Sequence, residues 1–139
     1  MIVPAVERRV LQAVVALACV VPLVTGGMSI VAGPIWLRGV GMHPSADLDS
    51  HFRYISGIFF ALGIAFASCI PRLEATGPRF RLLGGMVVAG GLARLWSLAA
   101  IGPPSRGHLL GLAMELGVVP LLMLWQAGMA QRYLADQAA

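Results

Sequence analysis

The chain reads as four long apolar stretches separated by short polar breaks. Runs rich in Val, Leu, Ile, Ala and Gly cover about residues 10–31, 50–70, 80–101 and 108–129, each near the roughly 20 residues that a helix needs to cross a bilayer. The breaks carry turn chemistry: Gly33-Pro34 after the first stretch, Pro71 after the second, Gly77-Pro78 before the third and Gly102-Pro103-Pro104 after it. No internal repeat or low-complexity linker intervenes, and the loop from Gly33 to Asp49 is the one sizeable piece outside the stretches. This pattern predicts an all-α, four-helix transmembrane bundle of up-down topology, forming a single integral membrane domain over residues 1–139.

Composition narrows the solvent. Hydrophobic residues make up 58% of the chain and charged residues 12%, with a mean hydropathy of +0.83. A soluble domain of this size needs a charged exterior that this chain lacks. Its ten basic residues are all arginine and stand against six acids, a net charge of +4. They are scattered at the ends of the stretches rather than gathered in a stripe, so no nucleic-acid partner is expected. Their distribution instead predicts orientation. Arg8, Arg9, Arg72, Arg79, Arg81 and Arg132 fall on one side, while Arg38 and Arg106, with Arg53 at the mouth of the second span, fall on the other. The positive-inside rule then puts both termini in the cytoplasm. Trp36, Tyr54 and Trp96 would lie toward the outer boundary, with Trp125 and Tyr133 toward the inner one.

Arg8 and Arg9 before an apolar run imitate a secretory signal. The run continues to Val31, however, and Pro34 follows the only small-residue cleavage pattern, so a retained span is expected. Cys19 and Cys69 lie at different depths without paired spacing, which predicts two packed thiols and no disulfide. Small residues recur every fourth position: Gly57, Ala61 and Ala65; Gly85, Ala89 and Ala93; Gly107 and Gly111. Such faces let helix backbones approach closely, inside one chain or between subunits. Pro22 and Pro120 interrupt the first and fourth spans, and Pro120 releases the carbonyl of Leu116 beside Glu115.

Two charges inside the spans form the sharpest local signal. Arg94 comes seven residues before the end of the third stretch and Glu115 seven after the start of the fourth. A hairpin places both about 10 Å below its helix ends, and two opposite charges relieve each other's cost in hydrocarbon. An Arg94–Glu115 ion pair is expected. Arg53, with Asp49 four residues before it, together with His51, His108 and Tyr54, would complete a polar mouth. Three readings compete for it: a structural ion pair, a site for a polar or anionic small ligand held by the arginine forks, and an enzyme using Glu115 as general acid or base. No nucleophilic triad, metal-ligand spacing or phosphate loop is present, so no catalytic residue, metal or cofactor is assigned.

The run Ser50-His51-Phe52-Arg53-Tyr54-Ile55-Ser56-Gly57, then Cys69-Ile70-Pro71-Arg72, Gly90-Gly91-Leu92-Ala93-Arg94-Leu95 and Glu115-Leu116-Gly117-Val118-Val119-Pro120, resembles the small bacterial membrane family catalogued as domain of unknown function 4345. The resemblance runs from about Arg9 to Trp125. It implies a four-span protein of the bacterial inner membrane and, more distantly, a likeness to DoxX-like proteins, some of which accompany quinone-linked redox enzymes. It implies no activity. The sequence therefore points to a non-catalytic membrane protein, an oligomeric or accessory subunit of a larger membrane complex, whose partners are membrane lipids and further copies or other subunits. The alternative is a protein that binds or transports a lipid, quinone or small anion.

Overall fold

A computed structural model describes residues 4–138, apart from the side chains of Pro4 and Trp36. Among them the protein is all-helical, with no strand and four helices long and apolar enough to cross a membrane. We number these α1 (Pro4–Ala32), α2 (Ala46–Ala67), α3 (Gly77–Ile101) and α4 (Arg106–Ala138). Within α4, a single π turn at Met114–Val118 separates two α-helical stretches. The helices are longer than the apolar stretches because their ends recruit polar residues. α2 starts earlier, where the Ser45 hydroxyl accepts the Leu48 amide, an N-cap that satisfies an otherwise orphan donor. It also stops at Ala67, three residues short of Ile70, and Pro71 sits in a short 3-10 turn. Pro22 lies inside a continuous α1.

The chain divides into two compact units. One comprises residues 1–13 and 69–139, the other residues 14–68. In the first, Leu11, Cys69, Leu73, Phe80, Leu122, Gln126 and Met129 are buried. The approach of α3 to α4 is set by glycine. A Cβ added at Gly84 would lie 2.4 Å from Met123 Sδ, and one at Gly91 would lie 2.7 Å from Leu116 Cδ2 and 2.9 Å from Glu115 Cβ. With Gly77, which faces Gln126, these glycines recur every seven residues and form one seam down α3. The four-residue stripe of Gly85, Ala89 and Ala93 is not that seam: Ala89 and Ala93 are exposed, and a Cβ at Gly85 meets nothing within 4 Å. Gly57 and Gly107 are likewise open. In the second unit the close approaches are at Gly26, where an added Cβ would lie 3.1 Å from Phe60, and at Gly63, where one would lie 3.1 Å from Pro22 and Leu23.

Most apolar surface on the four helices stays outside the protein. Only 6–22% of each apolar window is buried, and Leu17, Val31, Ile101, Leu110 and Leu124 are mostly exposed. Leucine shown outward along whole helices suits lipid tails as solvent, since every helical backbone group is already bonded internally. Both cysteines are buried.

Candidate functional site

α3 and α4 are joined by Gly102 to Ser105. Gly102 takes φ +107°, a conformation that side chains rarely adopt, and its amide closes α3 on the Leu98 carbonyl. The two helices return antiparallel, and Arg94 meets Glu115. Arg94 Nε donates to Glu115 Oε2 and Nη2 to Oε1, both at 3.0 Å. This two-pronged geometry is the strongest that a guanidinium and a carboxylate make. Arg94's side chain is 34% exposed and Glu115's 13%. The Gly91 seam is what lets the carboxylate in, because a methyl there would strike Glu115 Cβ.

Glu115 stands in the π turn. Pro120 has no amide hydrogen to offer the Leu116 carbonyl, and the helix just before it widens, so that Val119 donates to Met114 five residues back. The wide turn adds one residue to the helical count and resets the rotation of the segment that follows.

The remaining sequence-picked residues have separate settings. Arg53, His51 and Tyr54 belong to the second unit; Arg94, Glu115 and His108 belong to the first. Arg53 Nε donates to Asp49 Oδ2 at 2.7 Å and Nη2 to Oδ1 at 3.1 Å. Its Nη1 donates to the carbonyls of Ile30 and Val31, the latter at 3.0 Å. These are orphan acceptors in the last turn of α1, where a cation also suits the helix dipole. Gly33 makes room: its φ is +69°, and a Cβ there would sit 2.6 Å from Asp49 Oδ1. Arg53 is thus a clamp between α1 and α2. His51 and Tyr54 are exposed on α2. His108 shares a hydrogen bond between Nδ1 and the Ser105 hydroxyl at 2.9 Å. Tyr54 and Trp96 project outward, 67% and 75% exposed; the side chain of Trp36 lies outside the described residues.

A second polar network escaped the sequence reading. Glu7 accepts from Trp125 Nε1 at 2.9 Å and from Arg132 Nη2 at 2.6 Å. Arg8 donates to Glu74 at 2.6 Å and to the Pro71 carbonyl at 2.8 Å, with its guanidinium 5.4 Å from the Tyr133 ring centroid. Gln12 caps the Ile70 carbonyl and buried Gln126 the Leu73 carbonyl. Together they tie the start of α1, the 69–76 turn and the end of α4. Burial pushes the Glu74 carboxyl up, but the Arg8 hydrogen bond, a backbone hydrogen bond and the charges of Arg8 and Arg72 together outweigh it, leaving the pKa below the ordinary value. The adjacent Glu7-Arg8-Arg9 triplet was the available signal, since acids beside arginines at a helix start find partners.

No group of three or more metal-ligating side chains occurs among the described residues. The helices and the internal ion pair define a multi-pass membrane protein of all-α architecture. Over residues 10–126, most of its length, the chain matches the family described as domain of unknown function (DUF4345), and it belongs to that family. No curated protein and no solved structure matches it.

Proposed function

We propose that this protein is a non-catalytic integral membrane subunit that associates, with copies of itself or with other membrane subunits, through the face of α3 carrying Gly85, Ala89 and Ala93. One observation supports the reading above the rest. α3 has two small-residue faces; the glycine seam at 77, 84 and 91 is filled by α4, while the other stands open, with nothing within 4 Å of a Cβ at Gly85. Lipid gives helices no hydrophobic reason to associate, so close backbone approach is the main source of affinity between spans, and small residues permit it. Trp96, eleven residues after Gly85, falls on the same exposed face at 100° per residue and offers a large contact surface. The proposed residence is the bacterial inner membrane with both termini cytoplasmic, a reading supported by six arginines at the ends near the termini and the 69–81 segment.

Mass measurement in mild detergent, with co-purifying chains retained, tests the proposal. The expected result is a particle of more than one chain, which Gly85→Leu and Ala89→Leu split while leaving each chain folded. A folded, monomeric and partner-free wild-type protein would overturn it. Thiol labelling of single cysteines placed at either terminus should succeed only from the cytoplasmic side.

A further inference from the structure

We infer that the outer edge of Arg94, with the Ser97 hydroxyl and the space beside Gly90, binds the neutral carbonyl oxygen of a hydrophobic molecule dissolved in the bilayer. A guanidinium carries five N–H groups. Arg94 spends Nε and Nη2 on Glu115, and Nη1 makes no hydrogen bond among the described residues. Nor is it buried: among the described residues the buried side-chain nitrogen or oxygen without a partner is Gln126 Oε1. Arg53 provides the contrast, with all three of its nitrogens donating. Arg94 lies seven residues before the end of α3, about 10 Å down the helix. Water is scarce at that depth, and a bare N–H pair there is costly. The acceptor must come from outside the chain.

Charge selects its type. Arg94 and Glu115 together are neutral, so an incoming anion gains little from the arginine and is repelled by the carboxylate 3.0 Å from it. A neutral carbonyl suffers no such repulsion and accepts the same hydrogen bonds. The surroundings fit a flat or tapered group. Gly90 and Ser97 lie four residues before and three after Arg94, on the same strip of α3. A Cβ at Gly90 would meet nothing within 4 Å. Ser97 is exposed and makes no hydrogen bond among the described residues, whereas Thr25 and Ser56 both bond back to the preceding turn at 2.7 Å. Two donors without partners among the described residues therefore lie one turn apart along α3, beside the open space at Gly90. Two bilayer molecules supply such an oxygen: a phospholipid, through its ester carbonyl, and a lipid-soluble quinone.

The site adjoins the stripe of Gly85, Ala89 and Ala93, with Ser97 about 40° round the helix from Ala93, and the experiment separates the two. Protein is placed in nanodiscs of diether phosphatidylcholine, which has no ester carbonyl, and titrated with a decyl-substituted benzoquinone while tryptophan fluorescence is followed. A quinone site gives saturable quenching that Ser97→Ala weakens about fivefold, the worth of one neutral hydrogen bond, and that Gly90→Leu abolishes by filling the open space beside Arg94. An ester site gives no saturable quenching; instead the Arg94 Nη nitrogen resonances differ between diester and diether discs, and Gly90→Leu removes the difference. Either result supports the inference, whatever the particle mass recorded on the same sample. Folded protein showing neither response overturns it, as does decanoate binding more tightly than the quinone. Both substitutions are at open positions, so neither disturbs the ion pair.

Discussion

At the scale of single residues, one pair governs what the membrane interior tolerates. Arg94 and Glu115 are two-pronged partners, and each would be an expensive orphan without the other. Glu115→Leu leaves a guanidinium in hydrocarbon, and unfolding measured by steric trapping or in mixed detergent should show a loss of about 2–3 kcal/mol. The figure lies at or below the usual range for breaking a buried pair, because Arg94 is a third open and can turn toward the boundary. The double change Arg94→Met with Glu115→Leu should recover most of that loss, since two apolar side chains of similar reach need no partner. A double variant as unstable as the sum of the two single ones would show that the ions do more than neutralise each other. This pairing was readable in the sequence, because two helices folded about residues 102–105 must put charges seven residues from each end at one level. The pairing of Arg53 with Asp49 was readable for the same kind of reason, as neighbours one turn apart. The capture of the Ile30 and Val31 carbonyls by Arg53 was not, because it depends on how α2 approaches the end of α1.

At the scale of elements, what sequence leaves open is rotation. α3 contains glycine at 77, 84, 85, 90 and 91, and a search for small residues four apart selects the outward stripe. The inward seam has a period of seven, the repeat of helices that pack at a shallow angle. Arg94 held the missing constraint. Once it must face inward, Gly91, Gly84 and Gly77 follow within about 100° of it at 100° per residue, and Gly85 lies opposite. Adjacent glycines should therefore respond with opposite signs. Gly91→Ala places a methyl 2.9 Å from Glu115 Cβ and 2.7 Å from Leu116 Cδ2. Leu116 Cδ2 is a chain end that can turn aside, but Glu115 Cβ is fixed to the backbone, so the cost should be about 1–3 kcal/mol, as for other overpacked sites. Gly90→Ala meets open space and gains up to about 1 kcal/mol of helix propensity. Unfolding of the two single variants under one set of conditions checks both; equal effects would mean that the seam does not set the distance between α3 and α4.

At the scale of the molecule, polar bonds gather where water reaches. The Arg8–Glu74, Glu7–Arg132 and Arg53–Asp49 pairs stand near helix ends, and Arg94–Glu115 is set deeper. Apolar length alone made four spans legible, but pairings across 66 and 125 residues depend on how separate helices are turned, which no local pattern encodes. Glu74 is the ionised partner outside all four spans, and so the one most able to exchange protons with water. Burial alone would raise its folded-state pKa, but the Arg8 hydrogen bond, a backbone hydrogen bond and the charges of Arg8 and Arg72 together hold it below the ordinary carboxylate value. The sign follows from linkage: a carboxyl whose pKa falls on folding stabilises fully above its unfolded pKa, near 4.3, and loses that contribution as pH drops through the folded value. Resistance to detergent unfolding should therefore be level from neutral pH down to about 5 and then decline, with Glu74→Gln declining less over that interval than the wild type. Other carboxyls titrate in both proteins and cancel in the difference. A wild-type and Glu74→Gln difference that stays constant from pH 7 to pH 3 would mean that Arg8 draws its hold on the 69–76 turn from the Pro71 carbonyl and the Tyr133 ring rather than from the ion pair.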